Sequence, residues 1–234
     1  MNNKTRERSN RIFFLFLFIL LPFPPIHAEK TRIGIVFDAD TTIVNQYIGF
    51  TMFSNSTDSS LIQINLKEHI INKLKSHLEV KYDVDLISLP DSLQNKGIGF
   101  LEGGLGKKLS KWGNTKKEDC DIIIFIRNQT FPREWNILVP PNTSGIYARR
   151  KNVYLYTTIT FYAYQTEKNK VLDYYTFGGD YLHHLKGFRL PRERAEIDNE
   201  MLNFLNDEYV KYLDQRIEDF LTKSFLVPNL EKGE

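Results

Sequence analysis

The chain has 234 residues, of which 41% are hydrophobic, 13% aromatic and 26% charged, proportions that exclude a disordered or fibrous protein. Its formal charge of +2 arises in the first eleven residues, where Lys4, Arg6, Arg8 and Arg11 outweigh Glu7; the rest sums to −1, leaving no global electrostatic attraction for nucleic acid or anionic lipid. The single cysteine, Cys120, excludes an internal disulfide framework and a Cys-rich zinc site.

The first element is a leader. Residues 1–11 are polar and basic, Ile12 to Leu21 is an unbroken apolar run, and Pro22 to Ala28 ends on a small residue. This is the pattern of a secretory signal peptide, with cleavage expected after Ala28. An uncleaved membrane anchor is the alternative, but crossing ~30 Å of hydrocarbon takes about 20 apolar residues. Pro22, Pro24 and Pro25 also stop a helix from continuing. The expectation is an exported protein, periplasmic or secreted, with no transmembrane span once residues 1–28 are removed. Residues 29–234 then form one α/β domain with an ordered core over about 31–228.

Within the mature chain, Ile33 to Phe37 reads as a buried strand and the β-branched, aromatic Thr42 to Phe53 as a second, followed by a polar turn over 55–60. Asn65 and Glu68 stand in capping-box relation ahead of Leu66, Ile70, Ile71, Leu74 and Leu78, the apolar face of a helix. Tyr82 to Leu89 alternates as a strand ended by Pro90. Asp121 to Ile126 has too many consecutive apolar side chains for a half-exposed strand and reads as covered on both faces. Asn152 to Gln165 and Val171 to Phe177 form an antiparallel hairpin across a short polar turn. A long amphipathic helix over about 194–223 closes the chain, with Ile197, Met201, Leu205, Tyr209, Leu213, Ile217 and Phe220 at helical spacing. Successive strands at both ends forbid a wholly parallel sheet. The fold class expected is therefore α/β (α+β): one mixed sheet with packed helices and a late hairpin.

The sharpest catalytic pattern is Val36-Phe37-Asp38-Ala39-Asp40-Thr41-Thr42-Ile43. It resembles the first motif of the haloacid-dehalogenase-type phosphatases. That resemblance implies Asp38 as nucleophile, Asp40 as acid and base, Mg²⁺ as cofactor, Ser88 as a phosphate-binding hydroxyl and one of Lys107, Lys108 and Lys111 as the stabilising lysine. The late acidic member falls to Asp180, after Gly179, where the family calls for paired carboxylates closing a parallel strand. The chain also passes from Thr42 straight into strand-like sequence, where that family places a flap and helix. The favoured reading makes Asp38-Ala39-Asp40 a turn between strands, with no catalytic residue, metal or other cofactor.

Other patterns yield less. Gly103-Gly104-Leu105-Gly106-Lys107-Lys108 suggests a phosphate cradle but has Leu101 and Lys108 where a P-loop needs Gly and Ser or Thr. His69 and His77 diverge by about 80° on a helix, and adjacent His183 and His184 point different ways, so neither pair chelates an ion. In Val153 to Tyr164, period 2 gathers Tyr154, Tyr156, Tyr162 and Tyr164 on one face, a candidate binding surface that could equally lie under a helix.

A second resemblance begins at Gln46-Tyr47-Ile48-Gly49-Phe50-Thr51-Met52-Phe53-Ser54-Asn55 and continues through Lys81-Tyr82-Asp83-Val84, the Asp121 to Ile126 strand and the late hairpin. It is similar to a group of short exported bacterial envelope proteins of uncharacterised function. It departs from them at Phe50, where a second Thr belongs, and at Ile64-Asn65. More remotely, the element order is similar to the N-terminal α/β domain of TolB and to the curli secretion lipoprotein. The resemblance implies an envelope interaction or assembly module whose partner is an envelope protein or a second copy, and it supplies no catalytic residues.

Overall fold

The computed structural model describes residues 30–48, 56–94, 103–128, 142–149, 151–175, 182–191, 194–224 and 226. Every described helix and strand lies in one compact unit that begins at Thr31. Ten strands fall into two five-stranded sheets among the described residues. The first sheet contains β1 (Arg32–Asp38), β4 (Asp83–Leu86), β5 (Ile122–Asn128), β8 (Ile159–Gln165) and β9 (Lys170–Tyr175), in the order β4-β1-β5-β8-β9. The second contains β2 (Ile43–Ile48), β3 (Ser56–Ser59), β6 (Ser144–Arg149), β7 (Asn152–Thr157) and β10 (Leu182–His184), in the order β10-β7-β6-β2-β3.

Both sheets are mixed. β1 lies parallel to β4 on one side and to β5 on the other, while β8 and β9 complete the sheet as an antiparallel hairpin. In the second sheet β2 and β6 are parallel and the remaining pairs antiparallel. The α/β domain of the sequence reading is present, with its strands divided between two sheets.

Among the described residues three α-helices cover these strands: α1 (Leu66–Leu78), α2 (Gly103–Asn114) and α3 (Asn199–Lys223). Asn65 caps α1 by accepting from the Glu68 N–H at 3.2 Å while its amide donates to Glu68 Oε2 at 3.1 Å. Asp198 caps α3 by accepting from the Met201 N–H at 2.8 Å. Each removes one of the unpaired donors that every helix start carries.

The alternation of strand side chains sorts β5 between two cores. Ile124 and Ile126 join Ile33, Ile35, Phe161 and Ala163 under the apolar faces of α1 and α3. Ile123 and Phe125 join Val36, Tyr162 and Tyr164 under Leu109 of α2. The strand read as covered on both faces is covered on both, because α1 and α2 lie on opposite sides of the first sheet. Between α1 and α3 runs a polar seam. His69 meets Asp214 at 2.8 Å, Lys73 meets Asp214 at 3.1 Å and Glu218 at 2.9 Å, and His77 stands 3.9 Å from Glu218.

Several boundaries differ from the periodicity reading. The strands expected in one mixed sheet fall into two, and two of the changes of sheet are short: residues 39–42 carry the chain from β1 to β2, and Thr158 divides the long Asn152 to Gln165 run into β7 and β8. β3, β6 and β10 were not apparent in the sequence. β3 is wholly polar, β10 has three residues, and β6 contains Gly145 at φ 135°, a conformation that L side chains rarely adopt. An added Cβ there would also run into the Val44 backbone.

Candidate functional site

The acidic motif sits at the first sheet change. β1 ends on Asp38, directly opposite Arg127 in the parallel register with β5. Alternation places both side chains on the α2 side of the sheet, beyond Val36 and Phe125. Asp38 Oδ2 and Arg127 Nη2 form an ion pair at 2.7 Å, with side chains only 6% and 2% exposed. Burial pulls the guanidinium down from its ordinary value, and the neighbouring carboxylate opposes that shift. Arg127 Nη1 is also buried and has no hydrogen-bond acceptor. An unmet buried donor costs about 1–3 kcal/mol, more when charged.

Asp40 has a different environment. Its Oδ1 accepts from both the N–H and the Oγ1–H of Thr42, at 2.8 and 2.6 Å, which closes a local Asx-type turn. Its own N–H donates to Asn128 Oδ1. Asn128 is buried at the end of β5 and also donates from Nδ2 to Thr158 Oγ1 at 2.8 Å. One amide therefore joins two of the places where the chain passes between sheets, the β1–β2 and β7–β8 steps. Thr158 itself donates from its N–H to the Thr143 carbonyl at 3.2 Å, holding the β7–β8 bend against the start of β6.

The structure thus brings Asp38 and Asp40 to one corner but gives them separate partners. Ser88 is exposed, in the segment after β4. Asp180 lies outside the described residues. Lys107, Lys108 and Lys111 are exposed along α2. No cluster of three or more His, Cys, Asp or Glu side chains suited to a metal ion occurs among the described residues. On the sheet geometry the topological objection to a phosphatase is half removed: β1 does have parallel neighbours on both sides, yet it still leads directly into another strand.

The four tyrosines do not form one exposed face. Tyr154 and Tyr156 belong to the second sheet, Tyr162 and Tyr164 to the first, and all but Tyr154 are buried. Tyr164 lies beneath α2, donating to the Ser110 carbonyl at 2.9 Å, and burial raises its pKa. Tyr156 is pushed up to about 12 by burial. Tyr154 keeps a partly open position, stacked on His184 with ring centres 4.8 Å apart. Its neighbour His183 turns instead toward Tyr212 of α3, at 5.7 Å. Sequence reasoning missed Arg127 and Asn128 altogether. The available signal was their position: an arginine and an asparagine directly continuing the apolar run Ile122 to Ile126 must end inside the protein or at its edge.

No family model matches the chain, and no curated protein matches it. Among solved structures it is similar to protein XCC0632 from Xanthomonas campestris, of family DUF330, with a TM-score of 0.34 and 6% identity over 86% of this chain and 91% of that one. It is also similar to the hypothetical protein CT253 from Chlamydia trachomatis, with a TM-score of 0.31 and 11% identity over 80% of this chain and 98% of that one. Both are uncharacterised proteins, and likenesses at these scores carry no argument about the site.

Proposed function

We propose that the mature chain is an exported envelope or periplasmic protein that works by binding an envelope protein or a second copy of itself, without catalysis. The observation that carries this reading is the Asp38–Arg127 ion pair. A guanidinium 2.7 Å from the carboxylate opposes a divalent cation at that oxygen and occupies the group a phosphoryl transfer would need as nucleophile. Asp40 is likewise committed to Thr42. The leader over residues 1–28 supports export. The resemblance of the Gln46 to Asn55 segment to short exported proteins, and more remotely to TolB and the curli secretion lipoprotein, supports an assembly role. No described helix is long and apolar enough to cross a membrane.

A second reading, a Mg²⁺-dependent phosphatase using Asp38 and Asp40, is favoured by one observation: Asp38 closes a strand flanked by two parallel neighbours. Assay of the mature protein on a generic phosphate ester, with and without Mg²⁺, separates the two. Hydrolysis that depends on Mg²⁺ and disappears in Asp40→Asn would overturn the binding reading. Crosslinking in the source envelope should recover the chain bound to a partner or to itself, and recovery of uncrosslinked monomer alone would count against it.

A further inference from the structure

We propose that the contact between α1 and α3 is a proton-operated clasp, which tightens when His69 and His77 become charged. The two helices cover one face of the first sheet, and their facing side chains interlock in ascending order. α1 contributes His69, Lys73 and His77, each about one helical turn from the next, and α3 contributes Asp214 and Glu218 at the same spacing. Each carboxylate falls between two nitrogens of α1. Asp214 meets His69 Nε2 at 2.8 Å and Lys73 Nζ at 3.1 Å, while Glu218 meets Lys73 Nζ at 2.9 Å and His77 Nε2 at 3.9 Å. All five side chains are partly shielded from water, between 22% and 44% exposed. Because α3 also donates from the Tyr209 hydroxyl to the Tyr156 carbonyl at 3.2 Å, the clasp sets how firmly α1 is held to a helix that reaches both sheets.

With neutral imidazoles, the ammonium of Lys73 confronts two carboxylates, and the row carries one negative charge in excess. Lys73 shows what that excess does to a cation. Burial disfavours its ammonium, but the bonds to Glu218 and Asp214 outweigh the penalty and hold its pKa above the ordinary value. A proton on His69 cancels the excess, and histidine is the side chain that gains charge between about pH 8 and pH 5. The neutral ring bonds Asp214 only in the tautomer with its proton on Nε2, whereas the charged ring donates from both nitrogens. Neighbouring charges are turned elsewhere. β4, which also packs against α1, places Asp83 and Asp85 on the opposite side of the sheet from the core residue Val84. Within α1, Lys75 pairs with Glu79 at 3.2 Å and Lys67 lies over the Phe37 ring; on α3, Lys211 pairs with Glu208 at 2.7 Å and Arg216 lies over Tyr212. Since the charged rings are the form the carboxylates attract, folding takes up protons at this seam. The stabilisation is therefore present in acid and is lost as the rings discharge on the way to alkaline pH.

Urea unfolding of the mature protein at about pH 7.5 and about pH 5.5, at low ionic strength, reads the clasp across histidine's titration range. Groups that titrate outside the seam affect every variant alike, so the informative quantity is a ratio of folding constants, wild type over variant. Against His69→Gln with His77→Gln, that ratio should rise about two- to fivefold on acidification, as partly exposed ion pairs allow. The same rise should appear against Asp214→Asn with Glu218→Gln, which keeps both rings and removes their anions. Where a double variant does not fold, the single changes His69→Gln and Asp214→Asn break the shortest pair and are read in the same way. A rise against both kinds of variant supports the clasp. A ratio that stays level or falls against either kind overturns it, because the protons would then act through other groups. No binding or hydrolysis is measured, so the outcome is independent of whether the chain binds or catalyses.

Discussion

Replacing Asp38 by Asn tests whether the acidic motif is architecture. The substitution keeps the side-chain shape and leaves Arg127 buried with no carboxylate at 2.7 Å. Breaking a buried pair by removing one partner costs about 3–5 kcal/mol, because the remaining charge is uncompensated. Against a typical domain stability of about 5–15 kcal/mol, this is a large share. The urea midpoint should fall sharply with the slope unchanged, a signature of lost native stability and not of an altered unfolded state. Removing both members, as Asp38→Leu with Arg127→Met, should recover most of the loss, since the desolvation penalty of each ion disappears with its charge. A loss below about 1 kcal/mol in Asp38→Asn would place Arg127 in contact with water or another acceptor and refute the reasoning. So would a double variant no more stable than the single one.

Other outcomes rest on the same packing. Asn128→Ala removes an acceptor for the Asp40 N–H and a donor to Thr158 within a buried corner, and should cost about 2–3 kcal/mol by chemical denaturation. Asp40→Ala, whose bonds are exposed, should cost only about 1 kcal/mol in the same experiment. Gly113→Ala would place a Cβ 2.6 Å from Tyr164 Cε1 and should lower the melting temperature, at about 1–3 kcal/mol, in spite of alanine's better helix propensity. The Cys120 thiol is raised to about 11 by burial, with Asp119 and Asp121 adding to the shift. A raised thiol pKa favours the folded state while the thiol stays protonated, and that contribution fades as pH rises through about 11. Alkylation of the folded protein at pH 8 should therefore be far slower than in urea, and equal rates would contradict the assigned burial.

The legible parts of this fold were those whose neighbours in sequence are also their neighbours in space. The Asn65 cap, the buried stripe Leu66, Ile70, Ile71, Leu74 and Leu78, and the closing helix follow from helical spacing alone. The β8–β9 hairpin follows from one polar turn. The division into two sheets did not, because the Val153 to Tyr164 pattern alternates without interruption through Thr158, and a bend that preserves alternation leaves no mark on periodicity. The same bend explains the tyrosines. Shared parity put them on one face of an imagined straight strand, whereas β7 and β8 belong to different sheets. The corner was hidden for a different reason: Asp38 and Arg127 are 89 positions apart, and nothing local in either segment announces the pairing. Turn chemistry at Asp40 and Thr42 was readable because it is only two residues wide.

The short β1–β2 and β7–β8 crossings have a consequence for how this molecule comes apart. Each sheet borrows the continuation of a strand that begins in the other, and Asn128 fastens the two crossings to each other. Limited proteolysis at either corner would thus not liberate an autonomous half. A fragment ending near residue 158 would lack β8 and β9, and with them one flank of β5, while the complementary piece would lack the centre of its own layer. Cooperativity should extend over the whole of residues 31–226, with hydrogen exchange in the two layers failing together.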